Sequence, residues 1–229
     1  MKGIMDLKTI NCVIAGVSGE TGTAIRSALL QQGATVIGTS RQTGSQRSLV
    51  KHSDCDFEIQ MDPTDPKSIQ STFNIITENF TQIHVWINIV GGFEMGKTVE
   101  NYPEAAWDKM WNLNFVTVLN SSQIILPHFK KFQTGRLINF GSAAVESSMA
   151  LAGPYLVSKA AVHMLTKAIA SELSGDITCN AIVPGTIDTK SNRLAMPDAD
   201  FSSWVSPETV AEQILVLLES STTGELLQL

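Results

Sequence analysis

The chain has 229 residues, 43% of them hydrophobic and 17% charged, which suits one α/β domain with a large core. Its net charge of −6 offers no basic surface to nucleic acid or anionic lipid. Cys12, Cys55 and Cys179 lack metal-ligand or disulfide spacing, the longest apolar run (83–93) is too short for a bilayer, and the N-terminus has no signal-peptide pattern. No metal and no membrane are therefore expected, and a reducing cytoplasm is the expected compartment.

Residues 11–15 read as a strand. They run into Gly16-Val17-Ser18-Gly19-Glu20-Thr21-Gly22, and 24–32 carries a helical apolar pattern. A strand, a glycine-rich turn and a helix in that order cradle a pyrophosphate on backbone N–H groups; a tight turn without a ligand is the alternative. Gly33 breaks the helix, and 34–39 is a second strand. Ser40 and Arg41 follow, at the place where an acidic residue would take the 2′-OH of an NAD ribose. An arginine there can pair with a 2′-phosphate instead, or be an ordinary surface residue.

Residues 42–54 are polar and predict a loop or short helix, and 57–61 a third strand. Asp62 after it either bonds an adenine or caps the next turn. Residues 65–79 read as a helix, with Ile69, Phe73 and Ile76 at helical spacing. The continuous apolar strand 83–89 suits a parallel sheet buried on both faces. It runs into Asn88-Ile89-Val90-Gly91-Gly92-Phe93, whose paired glycines let backbone approach a ligand.

Residues 103–131 predict one long helix bent near Pro127. Its Trp107, Trp111, Val118, Ile125 and Phe129 outnumber what one packed face needs, which suggests a subunit interface; core packing is the alternative. A fifth strand, 136–140, ends in Gly141-Ser142. Gly153-Pro154 precede a helix reaching about residue 173 that carries Tyr155 and Lys159 on one face, one turn apart. An ammonium beside a phenol favours the phenolate, so Tyr155 should titrate below its ordinary value of about 10 and exchange a proton with a carbonyl or alcohol oxygen; a half-buried tyrosine and a solvated lysine on an ordinary helix is the alternative. Residues 177–183 are a sixth strand, Pro184-Gly185-Thr186 turns the chain, and 188–204 is a polar loop of lid length. Pro207 starts a last helix, and 225–229 is a final strand. The alternation gives a parallel sheet wrapped by helices on both faces in a single domain, 1–229.

Taken in order, these motifs resemble the short-chain dehydrogenase/reductase family over nearly the whole chain. Gly16, Gly19 and Gly22 match its nucleotide-binding turn, and Asn88-Ile89-Val90-Gly91 its loop after the fourth strand. Asn114 matches its helical asparagine, Ser142 its serine thirteen residues before the tyrosine, and Tyr155 and Lys159 its proton-transfer pair. The stretch from Asn180 to Thr189 matches the segment after its sixth strand. The resemblance implies a Rossmann-type doubly wound fold, an NAD(P) cofactor and hydride transfer between the nicotinamide and a small carbonyl or alcohol substrate, such as a 3-oxoacyl thioester or another ketone. It implies that Tyr155 is the general acid in reduction, that Lys159 lowers its pKa and holds the nicotinamide ribose, and that Ser142 bonds the substrate oxygen. Asn114 would hold a water that returns protons to Lys159, or be an interior polar group bonded to backbone. Ser18 and Thr21 join the glycines at the phosphates, with Ser40, Arg41 and Asp62 at the adenosine and Asn88, Val90 and Gly91 beside it. Pro184, Gly185, Ile187 and Thr189 would line the nicotinamide pocket. NADPH is expected over NADH, with NAD possible, and a homodimer or homotetramer is implied.

Two departures matter. The family's main branch spaces its glycines Gly-x-x-x-Gly-x-Gly, which puts Glu20 at the middle glycine. A carboxylate there repels a pyrophosphate unless it points away. The loop 89–93 also lacks the usual second asparagine and alanine. The glycine spacing, the Val90-Gly91-Gly92-aromatic loop, and Asp188-Thr189 running on to Met196-Pro-Asp-Ala-Asp-Phe-Ser-Ser-Trp204 resemble the dihydropteridine reductase branch. That branch has no serine at Ser142 and an Asp at Ser40. An enzyme of that kind is one alternative; a non-catalytic dinucleotide-binding regulator is another, against which the full Ser142/Tyr155/Lys159 set argues.

Overall fold

Eight strands form one sheet in the computed structural model, which describes residues 5–41 and 48–229. They are β1 (Asn11–Ala15), β2 (Thr35–Ser40), β3 (Val50–Ser53), β4 (Asp56–Gln60), β5 (Val85–Asn88), β6 (Thr134–Phe140), β7 (Asp176–Val183) and β8 (Leu226–Gln228), in the order β3-β4-β2-β1-β5-β6-β7-β8. The helices are α1 (Glu20–Gln31), α2 (Pro66–Asn79), α3 (Glu104–Met110), α4 (Thr117–Phe132), α5 (Ala144–Ser147), α6 (Gly153–Glu172), α7 (Lys190–Ala195) and α8 (Pro207–Glu219).

β1 lies at the centre because its residues are apolar on both faces. Cys12 and Ile14 pack with Ile25, Leu29, Val210, Ile214 and Leu218, under α1 and α8. Val13 and Ala15 pack with Ile69, Ile125, Phe129 and Ile169, under α2, α4 and α6. Period-2 alternation thus feeds two cores, as a parallel sheet covered on both sides requires. Burial pushes the Cys12 thiol well above its usual range and Cys179 up to about 12, so neither is reactive. β1 pairs with β2 on one side and β5 on the other, Cys12 facing both Val36 and Val85. The chain therefore reverses direction across the sheet at β1, and a crevice opens beyond its carboxyl end.

Four local expectations change. The polar stretch expected as a loop or short helix contains β3, an edge strand antiparallel to β4 with every residue exposed. Having no buried face, it shows no alternation to detect. Arg47, which the sequence places in the loop after Arg41 and which is expected to assist it at a 2′-phosphate, lies outside the described residues. The single helix expected over 103–131 is divided by a π-helical turn, Trp111–Val116, while Pro127 sits inside α4 without ending it. The lid-length loop holds α7 and a 3-10 turn, Phe201–Ser203, and α5 follows β6 unannounced. Among the described residues no helix is long and apolar enough to cross a membrane.

Candidate active site

A cleft of about 280 Å³ opens at the carboxyl ends of β1, β2 and β5. It is lined by the expected Gly16, Ser18, Gly19, Ser40, Arg41, Asp62, Val90 and Gly91. Thr39, Met61, Pro63, Thr64, Ile89 and Leu113 complete it without having been foreseen. Gly16 has φ +103, and a Cβ there would stand 2.9 Å from Val90 Cγ2, so only glycine makes this turn. A Cβ on Gly22 would meet the Gly16 carbonyl oxygen at 2.5 Å, and buried Thr21 lies beside it on α1. Gly19 caps α1 without a side-chain hydrogen bond, and a Cβ built on it would meet nothing within 4 Å. The amino end of α1 is thus uncapped and open to the cleft, which fits a dinucleotide pyrophosphate.

Glu20 points away from that position. Its carboxylate accepts a 2.8 Å hydrogen bond from the Lys190 backbone N–H and so ties α1 to α7. Asp62 caps its own turn, accepting from the Thr64 N–H and hydroxyl, so the capping alternative is realised at the rim of the cleft. The Asn88 side chain is turned inward, accepting from Trp86 Nε1 and donating to Asn139 Oδ1. Only its backbone is left to meet a cofactor.

The residues expected to transfer protons come from three elements. The π-turn aims Asn114 inward, fully buried. Such a turn in an α-helix is common at functional sites. Asn114 Oδ1 accepts from Gly92 N–H at 2.8 Å, and its Nδ2 donates to Gly92 O and to Ser158 Oγ, both at 3.0 Å. The backbone-bonded alternative therefore describes this side chain well. A Cβ on Gly91 would fall 2.8 Å from Asn114 Oδ1 and 3.3 Å from Lys159 Nζ, so both atoms border one spot above that glycine. Ser142 follows β6 and is nearly buried.

Tyr155 and Lys159 share one face of α6, but the ammonium does not hold the phenol. Lys159 Nζ donates to Phe140 O at 2.8 Å, and burial lowers its pKa to about 8. The Tyr155 pKa is raised above its ordinary value, by burial first, with a hydrogen bond to Ser142 opposing. The expected lowering by Lys159 is therefore corrected: desolvation dominates the phenol, and the ammonium is directed to a carbonyl. Phe93, from the glycine-aromatic loop, packs edge-on against Tyr155 with ring centres 4.8 Å apart, a contact the sequence did not announce.

After β7, Pro184 O accepts from Ala143 N–H and Gly185 N–H donates to Leu229 O. Ile187 bridges to Val205, and Thr189 caps α7 by accepting from Asn192 N–H. These four residues hold the segment 188–204, whose Arg193 pairs with Asp188 and lies over the Phe201 ring. Among the described residues no His/Cys/Asp/Glu group could hold a metal ion. A larger groove, about 740 Å³, runs between α2 and α4 and shares no residue with the cleft.

The sequence profile of the short chain dehydrogenase family matches residues 11–199, which spans the cleft and Asn114, Ser142, Tyr155 and Lys159. The chain belongs to the short-chain dehydrogenase family. It is 30% identical over 233 aligned positions to the 3-oxoacyl-[acyl-carrier-protein] reductase of Thermotoga maritima, covering 94% of each chain. Identity to the corresponding reductase of Vibrio cholerae is 29%, over 81% of this chain and 76% of that one. Among solved structures, the aldohexose dehydrogenase of Thermoplasma acidophilum in ligand-free form has a TM-score of 0.85 at 24% identity, over 99% of this chain and 94% of that one. ElxO with NADP bound has a TM-score of 0.86 at 23% identity over 96% of each chain. As a short-chain dehydrogenase the protein is an NAD(P)-dependent oxidoreductase acting on CH–OH or C=O groups. The likeness to the dihydropteridine reductase branch gains no support from these relatives.

Proposed function

We propose that the protein is a carbonyl reductase of the 3-oxoacyl thioester or related ketone type, with Tyr155 as proton donor and NADPH as the preferred reductant. The carrying observation is that Asn114 Oδ1 and Lys159 Nζ border one spot above Gly91, a residue of the cleft wall, with Lys159 on the helix face it shares with Tyr155. When bound, a reduced nicotinamide supplies hydride to the carbonyl carbon. Tyr155 donates its proton to the carbonyl oxygen, and Ser142 donates a hydrogen bond to that oxygen as its charge develops. Lys159, charged at neutral pH, takes the nicotinamide ribose and favours proton return to the phenolate. Asn114 holds Gly92 and with it the Gly91 backbone against Lys159; a water relay to Lys159 would use the second lone pair of its Oδ1. Thr189, Ile187, Gly185 and Pro184 shape the nicotinamide end. The relatives at 29–30% identity act on 3-oxoacyl thioesters, which supports that substrate class. The test is oxidation of NADPH and NADH with 3-oxoacyl thioesters, simple ketones, quinones and quinonoid dihydropterin. Turnover with a thioester or ketone is expected; turnover with the dihydropterin alone, or with none of them, overturns the reading.

Cofactor choice rests on Ser40 and Arg41, both at the cleft wall. Ser40 carries no charge, and its hydroxyl donates to Glu58 Oε1 at 3.2 Å. Glu58 is ion-paired with Arg26, which also holds Asp56 at 2.7 Å, so its charge beside the ribose position is offset. Arg41 remains to attract a 2′-phosphate, and a charge-assisted hydrogen bond of that kind is worth roughly ten-fold or more in affinity. Arg41→Ala is expected to weaken NADPH binding by about ten-fold and to leave NADH nearly unchanged, read by fluorescence titration. Equal weakening of both, or tighter NADH binding in the wild type, would defeat the argument.

The protein is further expected to be a homodimer or homotetramer through the face of α6 and the π-turn. Trp111, Val157 and Met164 are 41%, 49% and 66% exposed there, and Val157 and Met164 are seven residues apart on one helix face. Of the residues first expected at an interface, Val118, Ile125 and Phe129 are core side chains, so the case passes to these others. Light scattering at micromolar concentration should give a dimer or tetramer, and Met164→Glu should weaken it; a monomeric wild type refutes it. The free thiols of Cys12, Cys55 and Cys179 fit a reducing cytoplasm.

A further inference from the structure

We propose that His163 is a positioning residue of this active site: its imidazole ties the Ser142 backbone to the helix that carries Tyr155 and Lys159. The proposal rests on the catalytic reading of Ser142 and Tyr155 given above. Tyr155, Lys159 and His163 are spaced by four along α6 and therefore follow one another up a single face. His163 Nε2 accepts the Ser142 backbone N–H at 3.2 Å. With Nε2 accepting, the imidazole is neutral and its proton sits on Nδ1.

The neighbouring bonds explain why this one matters. Gly141 N–H donates to Ile182 O on β7, and Ala143 N–H donates to Pro184 O just after it. The Ser142 N–H between them turns the other way, to α6. The loop is thus pinned to the sheet on one side and to the catalytic helix on the other. Gly141 makes room for this. A Cβ there would lie 2.2 Å from His163 Nε2 and 2.6 Å from Cδ2, so the ring occupies the volume that a side chain would need. Ser142 Oγ, which accepts from Ala144 N–H at 3.3 Å, is carried by the same residue whose backbone N–H His163 holds. A misplacement of about 1 Å at such a position costs roughly 10²-fold in rate.

The bond exists in one protonation state only. An imidazolium presents N–H at Nε2 and would face another N–H. Burial holds the His163 pKa below its ordinary value; Lys159 and Lys167 on α6 act the same way, and Glu146 on α5 opposes them. The imidazole is therefore neutral at pH 7. As pH falls through its lowered pKa the anchor is lost, and kcat for reduction acquires an acid limb.

Two variants and two readouts test this. His163→Leu removes the acceptor, and His163→Gln can place Oε1 near Nε2 without a titrating group. In His163→Leu, kcat is expected to fall by about ten- to hundred-fold. NADPH affinity should stay within a few-fold, and the Ser142 amide should exchange with solvent at least ten-fold faster. His163→Gln should restore both to near the wild-type values and abolish the acid limb. The amide readout, taken by hydrogen-exchange NMR on the wild-type and variant proteins, does not need turnover. If the wild type reduces no carbonyl, the catalytic reading fails while amide exchange still decides the anchor. An unchanged Ser142 exchange rate and kcat in His163→Leu, or an acid limb that persists in His163→Gln, overturns the proposal. If His163→Leu does not fold, the pH profile and exchange of His163→Gln decide it alone.

Discussion

Tyr155→Phe is expected to lower carbonyl reduction by about 10²–10⁴-fold while leaving cofactor affinity within a few-fold. The substitution removes one oxygen and little else. A phenylalanine ring can keep the edge-on contact with Phe93 at 4.8 Å, and the cleft lined by Gly16, Ser18 and Gly19 does not include the phenol. Proton donation to the developing alkoxide disappears, and Ser142 is left as the one hydroxyl facing it. The wild-type pH profile follows from the raised Tyr155 pKa. A donor must be protonated, and this one stays protonated through neutral pH. Tyrosine ionisation should therefore cost nothing near pH 7 and should lower the rate only in alkali, as pH rises through that raised value. Stopped-flow nucleotide oxidation and a binding titration check the two halves separately. Turnover of the variant within a few-fold of wild type would remove Tyr155 from the mechanism.

The sheet was legible wherever a strand is buried on both faces. β1, β5 and β7 read as short apolar runs, and their order relative to glycines and helices gave the doubly wound class. β3 was not legible, because an edge strand with four exposed residues carries no burial pattern. The π-turn was hidden for another reason. Residues 111–116 carry no local signal that separates a π-turn from an α-helix, and their Asn114 reaches Gly92 and Ser158 on other elements. Pro127, the residue with a local reason to bend the chain, sits inside a continuous α4.

The candidate site divides the same way. The motifs, together with the family resemblance they carry, put Gly16, Gly19, Ser40, Arg41, Val90 and Gly91 in one expected cofactor site, and these residues line one cleft because a backbone turn is a local property. Side-chain direction was the weak point. Glu20 turned to Lys190, Asn88 to Asn139, and Lys159 to Phe140 O, each drawn by a partner distant in sequence. The charge argument for Tyr155 failed on the same ground, since proximity along a helix does not say where an ammonium points. His163 carried a faint signal, four residues beyond Lys159 on the same face, but nothing in the sequence put Ser142 N–H opposite it.

Lys159→Met is expected to abolish most reduction and yet to make the protein more stable at pH 7. Burial lowers the Lys159 pKa from 10.5 to about 8, so the native state holds an ammonium at a cost of about 3 kcal/mol relative to the unfolded chain. Methionine has nearly the same length and carries no charge. It also leaves Phe140 O without its 2.8 Å donor, which removes about 1 kcal/mol of the gain. The net stabilisation at pH 7 should be about 1–2 kcal/mol. Its pH dependence has a fixed sign. Below about 8 the lysine is charged in both native and unfolded states, and the methionine advantage is complete. Between about 8 and 10.5 the native lysine is neutral while the unfolded one still binds its proton, so wild-type stability rises with pH and the advantage shrinks by about 1.4 kcal/mol per unit. Over the same range kcat of the wild type should fall, since the ammonium that favours proton return to the phenolate is being lost. Urea unfolding of both proteins at pH 7, 9 and 10 measures the difference. A methionine variant less stable than wild type at pH 7, or an advantage that holds constant to pH 10, would show that the buried ammonium is not the strained group of this site.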